Sequence, residues 1–161
     1  MVINRALLTN GVAKSFSDTI DFSSIQFDQS HIRSIPSCEV IATATDYGSI
    51  LCIALKIKVE VIGVCSYTLE DVPLKLNIED QLDFSDNPDD EDMYYEKDNL
   101  IILDDYVLGI VLANVPVRIV KKGAKRPSNG NNYRVISEDD YNKEKENSRD
   151  SRWDALDKIE L

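Results

Sequence analysis

The chain has 161 residues, of which 43% are hydrophobic, so it can build one domain with a core and is not expected to be wholly disordered. Its formal net charge is −11, from 29 acidic and 18 basic residues, which is the opposite of the balance typical of phosphate-neutralising proteins. It lacks a run of about eighteen apolar residues, a basic-then-apolar leader and a disulfide framework, so we expect a cytoplasmic protein without a membrane span.

The first third of the chain reads mainly as strand and turn. Residues 1–10 fit either a helix or a strand, whereas alternating apolar residues predict a strand over Phe16–Phe22. Ser23–Ser37 is rich in turn-forming residues and is expected to be a loop. Cys38–Asp46 is rich in β-branched residues, and the turn Asp46-Tyr47-Gly48-Ser49 should join it to the next strand as an antiparallel hairpin.

Two long alternating runs meet at the segment Val59–Val72. One run begins at Ser49 and the other ends at Phe84, and in each of them the apolar residues fall at alternating positions that share one face. Such a pattern is typical of strands with one buried and one solvated face. Gly63–Asp71 must then reverse the chain, which gives an antiparallel meander of at least three strands. The predicted buried residues are Leu51, Ile53, Leu55, Ile57, Val59, Val61, Val72, Leu74, Leu76, Ile78, Leu82 and Phe84.

After the meander the pattern changes to helical spacing. Leu103, Val107, Ile110 and Val111 recur at three- and four-residue steps within Leu100–Val115, and a proline follows. With Asp104 or Asp105 suited to the first turn, this spacing predicts an amphipathic helix over Asp104–Asn114. Ser85–Asp98, which precedes it, contains the acidic run S-D-N-P-D-D-E-D and is expected to be a solvated loop.

The C-terminal third is more polar. Lys121–Asn132 is predicted to be a basic, flexible loop, and Tyr133–Ile136 a last short strand. Ser137–Glu146 is expected to be helical or disordered, and Asp150–Leu161 carries a helical stripe that suits docking. The predicted fold is therefore α+β: a curved, partly barrel-like antiparallel sheet with one covering helix and a charged C-terminal helical segment. We predict a single domain over residues 1–136 and a charged helical tail over 137–161.

Few residues suit catalysis or metal binding. His31 is the only histidine, so a nucleophile has at most one imidazole base. Cys65 is followed by Thr68 where a C-x-x-C pair would need cysteine, and it is read as a core or turn residue. The acidic run lacks the glycine and glutamate spacing of a calcium loop, and no phosphate-binding glycine motif occurs. No metal, cofactor or catalytic residue is predicted.

Two oppositely charged segments are the main positive signals. Glu79–Asp98 has ten acidic residues and one basic residue, whereas Arg118–Arg126 has five basic residues and none that are acidic. Each segment has two interpretations, a binding surface or merely a solvated connection. The basic segment would contact RNA phosphates, although no aromatic residue interleaves with its lysines. The candidate RNA contacts are Lys121, Lys122, Lys125 and Arg126.

Candidate partner-binding residues lie in the acidic loop and in the terminal stripe. Tryptophan is enriched at interface hot spots, but it also packs within its own chain. Both a partner contact and internal packing are therefore interpretations for Trp153. The candidates are Asp89, Asp90, Glu91, Asp92, Arg152, Trp153 and Leu156.

An ordered set of motifs resembles the YceD-like large ribosomal RNA subunit accumulation proteins. The first two, S-D-T-I-D-F-S-S-I and I-K-V-E-V-I-G-V-C-S-Y-T-L-E-D-V, are similar to the N-terminal half of that family. L-I-I-L-D-D-Y-V-L-G-I-V-L-A-N-V-P resembles its acidic-start helix that ends at a proline, and two closing motifs follow. The five motifs occupy Ser17–Ile25, Ile57–Val72, Leu100–Pro116, Tyr133–Asp140 and Asp150–Ile159.

Some residues of this chain match the family motifs, and others differ from them. The family-motif residues are Cys65, Thr68, Leu69 and Pro116, but many members have cysteine where this chain has Thr68, so no metal or redox role transfers. Ser151 also replaces the usual proline at the start of the last motif.

The resemblance implies a cytoplasmic factor that supports accumulation of large-subunit rRNA. Two mechanisms fit the charges: the acidic loop Glu79–Asp98 holds a basic large-subunit ribosomal protein, or Lys121–Arg126 touches rRNA in the precursor particle. The net charge favours the first, since it opposes the approach of RNA. The alternative from another class is a metal-dependent nuclease acting on precursor rRNA, which would need acidic ligands that converge in a cleft. The oligomeric state is left open.

Overall fold

The computed structural model describes residues 1–27, 31–125, 127, 130–136 and 138–147. The chain divides into two compact units, Met1–Ala124 and a second that begins at Lys125. The predicted domain boundary between residues 136 and 137 stays a prediction. Within the described residues, neither helix has the length and apolar character needed to cross a membrane.

The first unit is a mixed α+β structure dominated by a five-stranded sheet. The strands in order of sequence are β1 Val2–Asn4, β2 Lys14–Ile20, β3 Ile32–Asp46, β4 Ile50–Val64, β5 Asp71–Ser85, β6 Tyr94–Tyr95 and β7 Leu100–Ile102. The large sheet has the order β2-β3-β4-β5-β6, antiparallel except for the β5–β6 pair. Because β2 and β6 lie at opposite edges and do not pair, the described sheet is open.

The register confirms the predicted hairpin and meander. Asp46 pairs with Leu51 across the first turn, and β5 pairs with β4 along its whole length, from Ile50 opposite Ser85 to Val64 opposite Asp71. The predicted inward face of β4 is buried at every position, as are Ile78, Leu82 and Phe84 on β5. The predicted Val72, Leu74 and Leu76 are only half-buried.

The prediction of a loop over Ser23–Ser37 is wrong from Ile32 onwards. Strand β3 begins there, and irregular register near Ser34 and Ser37 shows that its first part is bulged. A bulge changes the alternation of a strand, so the period-two pattern was hidden, and it also accommodates Pro36. The buried residues of this part, Ile32 and Ile35, are accordingly three positions apart.

A small second sheet and a helix complete the core of the first unit. Strands β1 and β7 pair antiparallel, with Ile3 opposite Ile101, and a 3₁₀ helix Arg5–Leu7 follows β1. The predicted helix is present as α1, Asp104–Asn114. It begins at Asp104, where the sequence placed its first turn, and Leu100–Ile102 before it forms β7. Leu103, Val107 and Val111 are buried against the sheet, whereas Ile110 is half-buried.

The second unit contains the charged helix α2, Glu138–Asn147, in which Glu144 forms an ion pair with Arg134. Of the two interpretations offered for residues 137–146, helix is therefore the one observed in the described part. The predicted strand Tyr133–Ile136 is wrong, since those residues have no strand pairing. The stripe Asp150–Leu161 lies outside the described residues.

Candidate functional site: the two ends of the β4–β5 hairpin

The β4–β5 hairpin places the acidic and basic segments at opposite ends. Most of the acidic segment, residues 86–98, follows Ser85, which pairs with Ile50, whereas residues 119–121 of the basic segment pack at the other end, where Val64 pairs with Asp71. At about 3.3 Å per residue, the fourteen steps from Ile50 to Val64 correspond to roughly 45 Å along the strand. This is several times the screening length of about 8 Å at physiological salt. Even on a curved sheet, the two ends are therefore electrostatically separate.

The acidic end, residues 79–98, is exposed and locally ordered by its own polar groups. Of its ten carboxylates, seven are exposed and three, at Asp83, Asp90 and Glu96, are half-buried. The hydroxyl of Ser85 donates to Asp90 and accepts from the N–H of Asn87 at 3.1 Å. Ser85 is thus a buried polar residue that fixes the turn from which the acidic segment extends.

The four candidate partner-binding acids of this end lie together. They form a shallow pocket of about 450 Å³ that is completed by Ile50 and Met93. Three of the acids are exposed, while Asp90 is half-buried because it bonds to Ser85. The remaining three candidates, Arg152, Trp153 and Leu156, lie outside the described residues. The four acids are Asp89, Asp90, Glu91 and Asp92.

Three aromatic rings lie beneath the acidic end. Phe84 of β5 packs against Tyr106 of α1 with ring centroids 5.3 Å apart, and Tyr94 of β6 packs against Tyr106 at 4.9 Å. Burial is the main cause that raises the pKa of the Tyr106 hydroxyl. Electrostatic repulsion of the tyrosinate by Glu96, Tyr94 and Asp105 raises this pKa further. Sequence reasoning missed this cluster, because the rings come from three elements and meet only in the folded chain.

A groove adjoins the tyrosines. It has a volume of about 410 Å³, lies between β5, β6 and α1, and is mainly apolar with carboxylates among its lining groups. We call it the tyrosine groove. Its lining residues are Asp80, Tyr94, Asp105, Tyr106, Gly109, Ile110, Ala113 and Asn114.

The basic end consists of the β4–β5 turn, residues 65–70, and the segment 117–122 that packs on it. The N–H of Ser66 donates to the carbonyl oxygen of Ile119 at 2.7 Å, and the N–H of Lys121 donates to Cys65 Sγ at 3.3 Å. The bond from Lys121, followed by one from the Thr68 hydroxyl, lowers the pKa of the Cys65 thiol to about 7, against the opposing effect of burial. Cys65 therefore has the turn role that the sequence favoured, with a thiol that joins two chain segments.

The side chains of the basic end are partly engaged by the turn. Lys121 Nζ lies 3.0 Å from Glu70 Oε2, which lowers the pKa of Glu70. The Arg118 guanidinium lies 5.2 Å from the centre of the Tyr67 ring and donates to its hydroxyl. Lys122 is exposed. Tyr67 thus supplies an aromatic face beside the cations that the local sequence around the lysines did not reveal.

The remaining predicted residues are more scattered. Lys125 is exposed at the start of the second unit, and Arg126 lies outside the described residues. Leu69 is 72% exposed and has a φ of 59°, the left-handed conformation that tight turns require but that leucine rarely adopts. Pro116 is exposed just after α1, where it prevents continuation of the helix.

No group of three or more metal-ligating side chains is found among the residues that the structure describes. His31 serves the fold through its backbone, since its carbonyl oxygen accepts the N–H of Val64 at 3.0 Å. The groups presented at the two ends are carboxylates, cations and tyrosine rings.

Comparison with known proteins identifies a distant relative. The chain is similar to a protein of Bacillus subtilis (strain 168) named Uncharacterized protein YlbN, with 29% identity over 153 residues that span 89% of this chain and 86% of that protein. No family model matches the chain, and no solved structure matches it. The functional proposal therefore depends on the two charged ends and on the motif resemblance.

Proposed function

We propose that this protein is a cytoplasmic YceD-like factor that supports large-subunit rRNA accumulation and large-subunit assembly by binding, without catalysis. In this proposal the acidic end holds a basic large-subunit ribosomal protein and shields it from premature contact with RNA. We also propose that the sheet has the curved, partly barrel-like form that the sequence predicts.

One observation carries the proposal: five exposed carboxylates follow Ser85 at one end of the hairpin, those of Asp86, Asp89, Glu91, Asp92 and Asp98. Ribosomal proteins of the large subunit are commonly small and basic, so their cationic segments complement such a surface. Complementary charge speeds encounter and selects against partners of the wrong sign. The same surface repels RNA, which is the competing ligand of a ribosomal protein.

Direct contact with rRNA at the basic end is a second mode of binding, favoured by the Arg118–Tyr67 cation–π pair near Lys121 and Lys122. An aromatic ring and exposed cations together suit an RNA strand better than cations alone. The separation of the two ends along the hairpin lets one molecule use both modes.

The acidic end is tested by neutralising three exposed carboxylates, as D89N/E91Q/D92N. Asp90 is left intact because its bond to Ser85 orders the turn. A matched control, D21N/E39Q/E138Q, changes the net charge equally at exposed positions elsewhere. Each tagged protein is captured from cells at low salt, with and without nuclease treatment, and bound proteins are identified by mass spectrometry.

We expect a basic large-subunit ribosomal protein to stay bound after nuclease treatment with the wild type and the control, and to be lost with the acidic-end variant. Cells that carry only this variant should also accumulate less mature large-subunit rRNA. Capture of rRNA-dependent particles alone would contradict the acidic-end mechanism and favour the basic end. Chelator-sensitive cleavage of precursor rRNA by the pure protein with Mg²⁺ or Mn²⁺ would instead establish the nuclease alternative.

A further inference from the structure

The tyrosine groove has the shape and lining of a site for one long cationic side chain. Tyr94 and Tyr106 are packed edge to face with centroids 4.9 Å apart, and Tyr94 is 49% exposed. Exposed tyrosine rings bind guanidinium and ammonium groups by cation–π attraction and also cover the methylene stem of such side chains. The apolar part of the groove would therefore accept the stem of an arginine or lysine.

The charged groups of the groove select the same ligand. Asp80 and Asp105 line it from β5 and α1, and both are exposed. Glu96 lies close enough to act on the Tyr106 hydroxyl. Among the residues that line the groove none is basic, so the carboxylates are available to a cation supplied by a partner.

The groove opens beside an unpaired strand edge. Strand β5 pairs with β4 along its full length, but on its other side β6 pairs only at Phe84 and Ser85, and no described strand pairs there from Asp71 to Asp83. Such an edge offers backbone donors and acceptors to an added strand. Val72, Leu74 and Leu76 on this part of β5 are only half-buried, so the adjacent core face is also incompletely covered.

We infer that an extended arginine- or lysine-rich segment of the partner protein pairs with the open β5 edge and inserts one cationic side chain into the tyrosine groove. This inference rests on the proposed function for the identity of the partner, but its site is separate from the carboxylates of residues 89–92. In this arrangement the carboxylates of residues 89–92 attract the partner at long range, and the tyrosine groove makes the specific contact.

Gly109 provides a direct test, because it lines the groove and a Cβ built there meets no atom within 4 Å. The variant G109L places a leucyl side chain in the groove, and it should also favour α1, since glycine is a poor helix former. The matched control is A54L, which adds the same side chain to the exposed outer face of β4. Loss of the fold is therefore not expected in either variant.

The probe is a fluorescein-labelled nonapeptide that alternates arginine with threonine, which places all its arginines on one face of a strand. Fluorescence anisotropy measures its affinity for the full chain at several salt concentrations. We expect G109L to weaken binding by about ten-fold or more, as for loss of a buried anchor side chain, and A54L to leave it unchanged. D80N/D105N should weaken binding and reduce its salt dependence.

A second probe tests the strand edge. The same peptide with N-methylated backbone at alternate residues keeps its charge but loses donors along one edge, so it should bind more weakly, and unmodified peptide should slow amide exchange in β5. If the peptide binds the wild type and G109L with equal affinity, the proposed insertion into the groove is wrong, because non-specific attraction to the acidic end is insensitive to that substitution. Absence of peptide binding to the wild type would overturn it as well.

The two proposals fail in different ways. If G109L still captures the ribosomal protein from nuclease-treated cells, the groove inference is wrong while the acidic-end function stands. If the peptide binds the groove but no large-subunit protein is captured and rRNA is unaffected, the groove is a basic-peptide site and the proposed function is wrong.

Discussion

Replacing Gly63 by alanine should displace Ile119, on which the basic end depends. A Cβ atom built on Gly63 would overlap the Cδ1 atom of Ile119, and it would lie 3.5 Å from Cγ1 of that residue and 3.3 Å from the His31 carbonyl oxygen. The Ile119 side chain is only 3% exposed, and its carbonyl oxygen accepts the N–H of Ser66. The new methyl group therefore has to push a buried side chain away from the β4–β5 turn.

The magnitude follows from which atom is displaced. Overfilling a packed site costs about 1–3 kcal/mol, so G63A should lower the free energy of unfolding by that amount. The variant I119V removes Cδ1, the overlapping atom, and should by itself cost about 0.5–1.5 kcal/mol. With Cδ1 absent, the overlap is gone, and the tightest remaining contact is the one of 3.3 Å to the His31 oxygen, which needs only a small shift. The double variant should therefore be about 1 kcal/mol more stable than additivity predicts.

The assay is urea denaturation of the wild type, both single variants and G63A/I119V, with hydrogen exchange as a local readout. In G63A the amide of Ser66 should exchange faster, because its acceptor at Ile119 moves, and I119V should restore its protection. Additive stability losses, or an unchanged Ser66 amide in G63A, would refute the packing argument.

Three further predictions concern charged groups. Hydrogen bonds from Arg5 and a turn N–H outweigh burial and hold the pKa of Asp46 below its ordinary value. Its stabilisation is therefore complete above the unfolded pKa of about 3.9 and is lost as pH falls. D46N should cost about 1.5–3 kcal/mol at pH 7 and less at pH 2 in urea denaturation, and a pH-independent loss would contradict this. Because the pKa of the Cys65 thiol falls to about 7 on folding, from an ordinary value of 9.0, stability should rise between pH 7 and 9. C65S should not show that rise when the free energy of unfolding is measured at pH 7 and pH 9. If the wild type and C65S change equally with pH, the Cys65 thiolate does not contribute to stability. K121A/K122A should lower the salt slope of RNA affinity by up to about two units if both side chains contact phosphates, whereas an unchanged slope would exclude such contacts.

Sequence pattern was sufficient for the long meander but not for its irregular parts. The alternation of Leu51 to Val61 predicted β4, because a strand with one buried face has to place apolar residues at every second position. It failed over Ile32–Ser37, where a bulge shifts the period, and at Leu100–Ile102, where three residues form a strand only because β1 lies beside them. Short strands are determined by their partner and carry little signal of their own.

The candidate site divides in the same way. Charge counts located the acidic and basic segments, and the Cys65 turn followed from the need to reverse the chain between two strands. Tyr67, Tyr94 and Tyr106 carried no comparable signal, because an aromatic residue becomes part of a site only through its neighbours in space. The stripe at Trp153 stays a prediction.

The sequence by itself determined the strand-rich α+β character, the Asp104–Asn114 helix and the uneven distribution of charge, since these depend on local period and composition. Only the tertiary structure decided that the charged segments lie at opposite ends of one hairpin, and that the rings of Phe84, Tyr94 and Tyr106 meet beside an open strand edge. The physical reason is that register and packing bring together residues far apart in the chain. No local sequence pattern specifies which of these distant residues become neighbours in the fold.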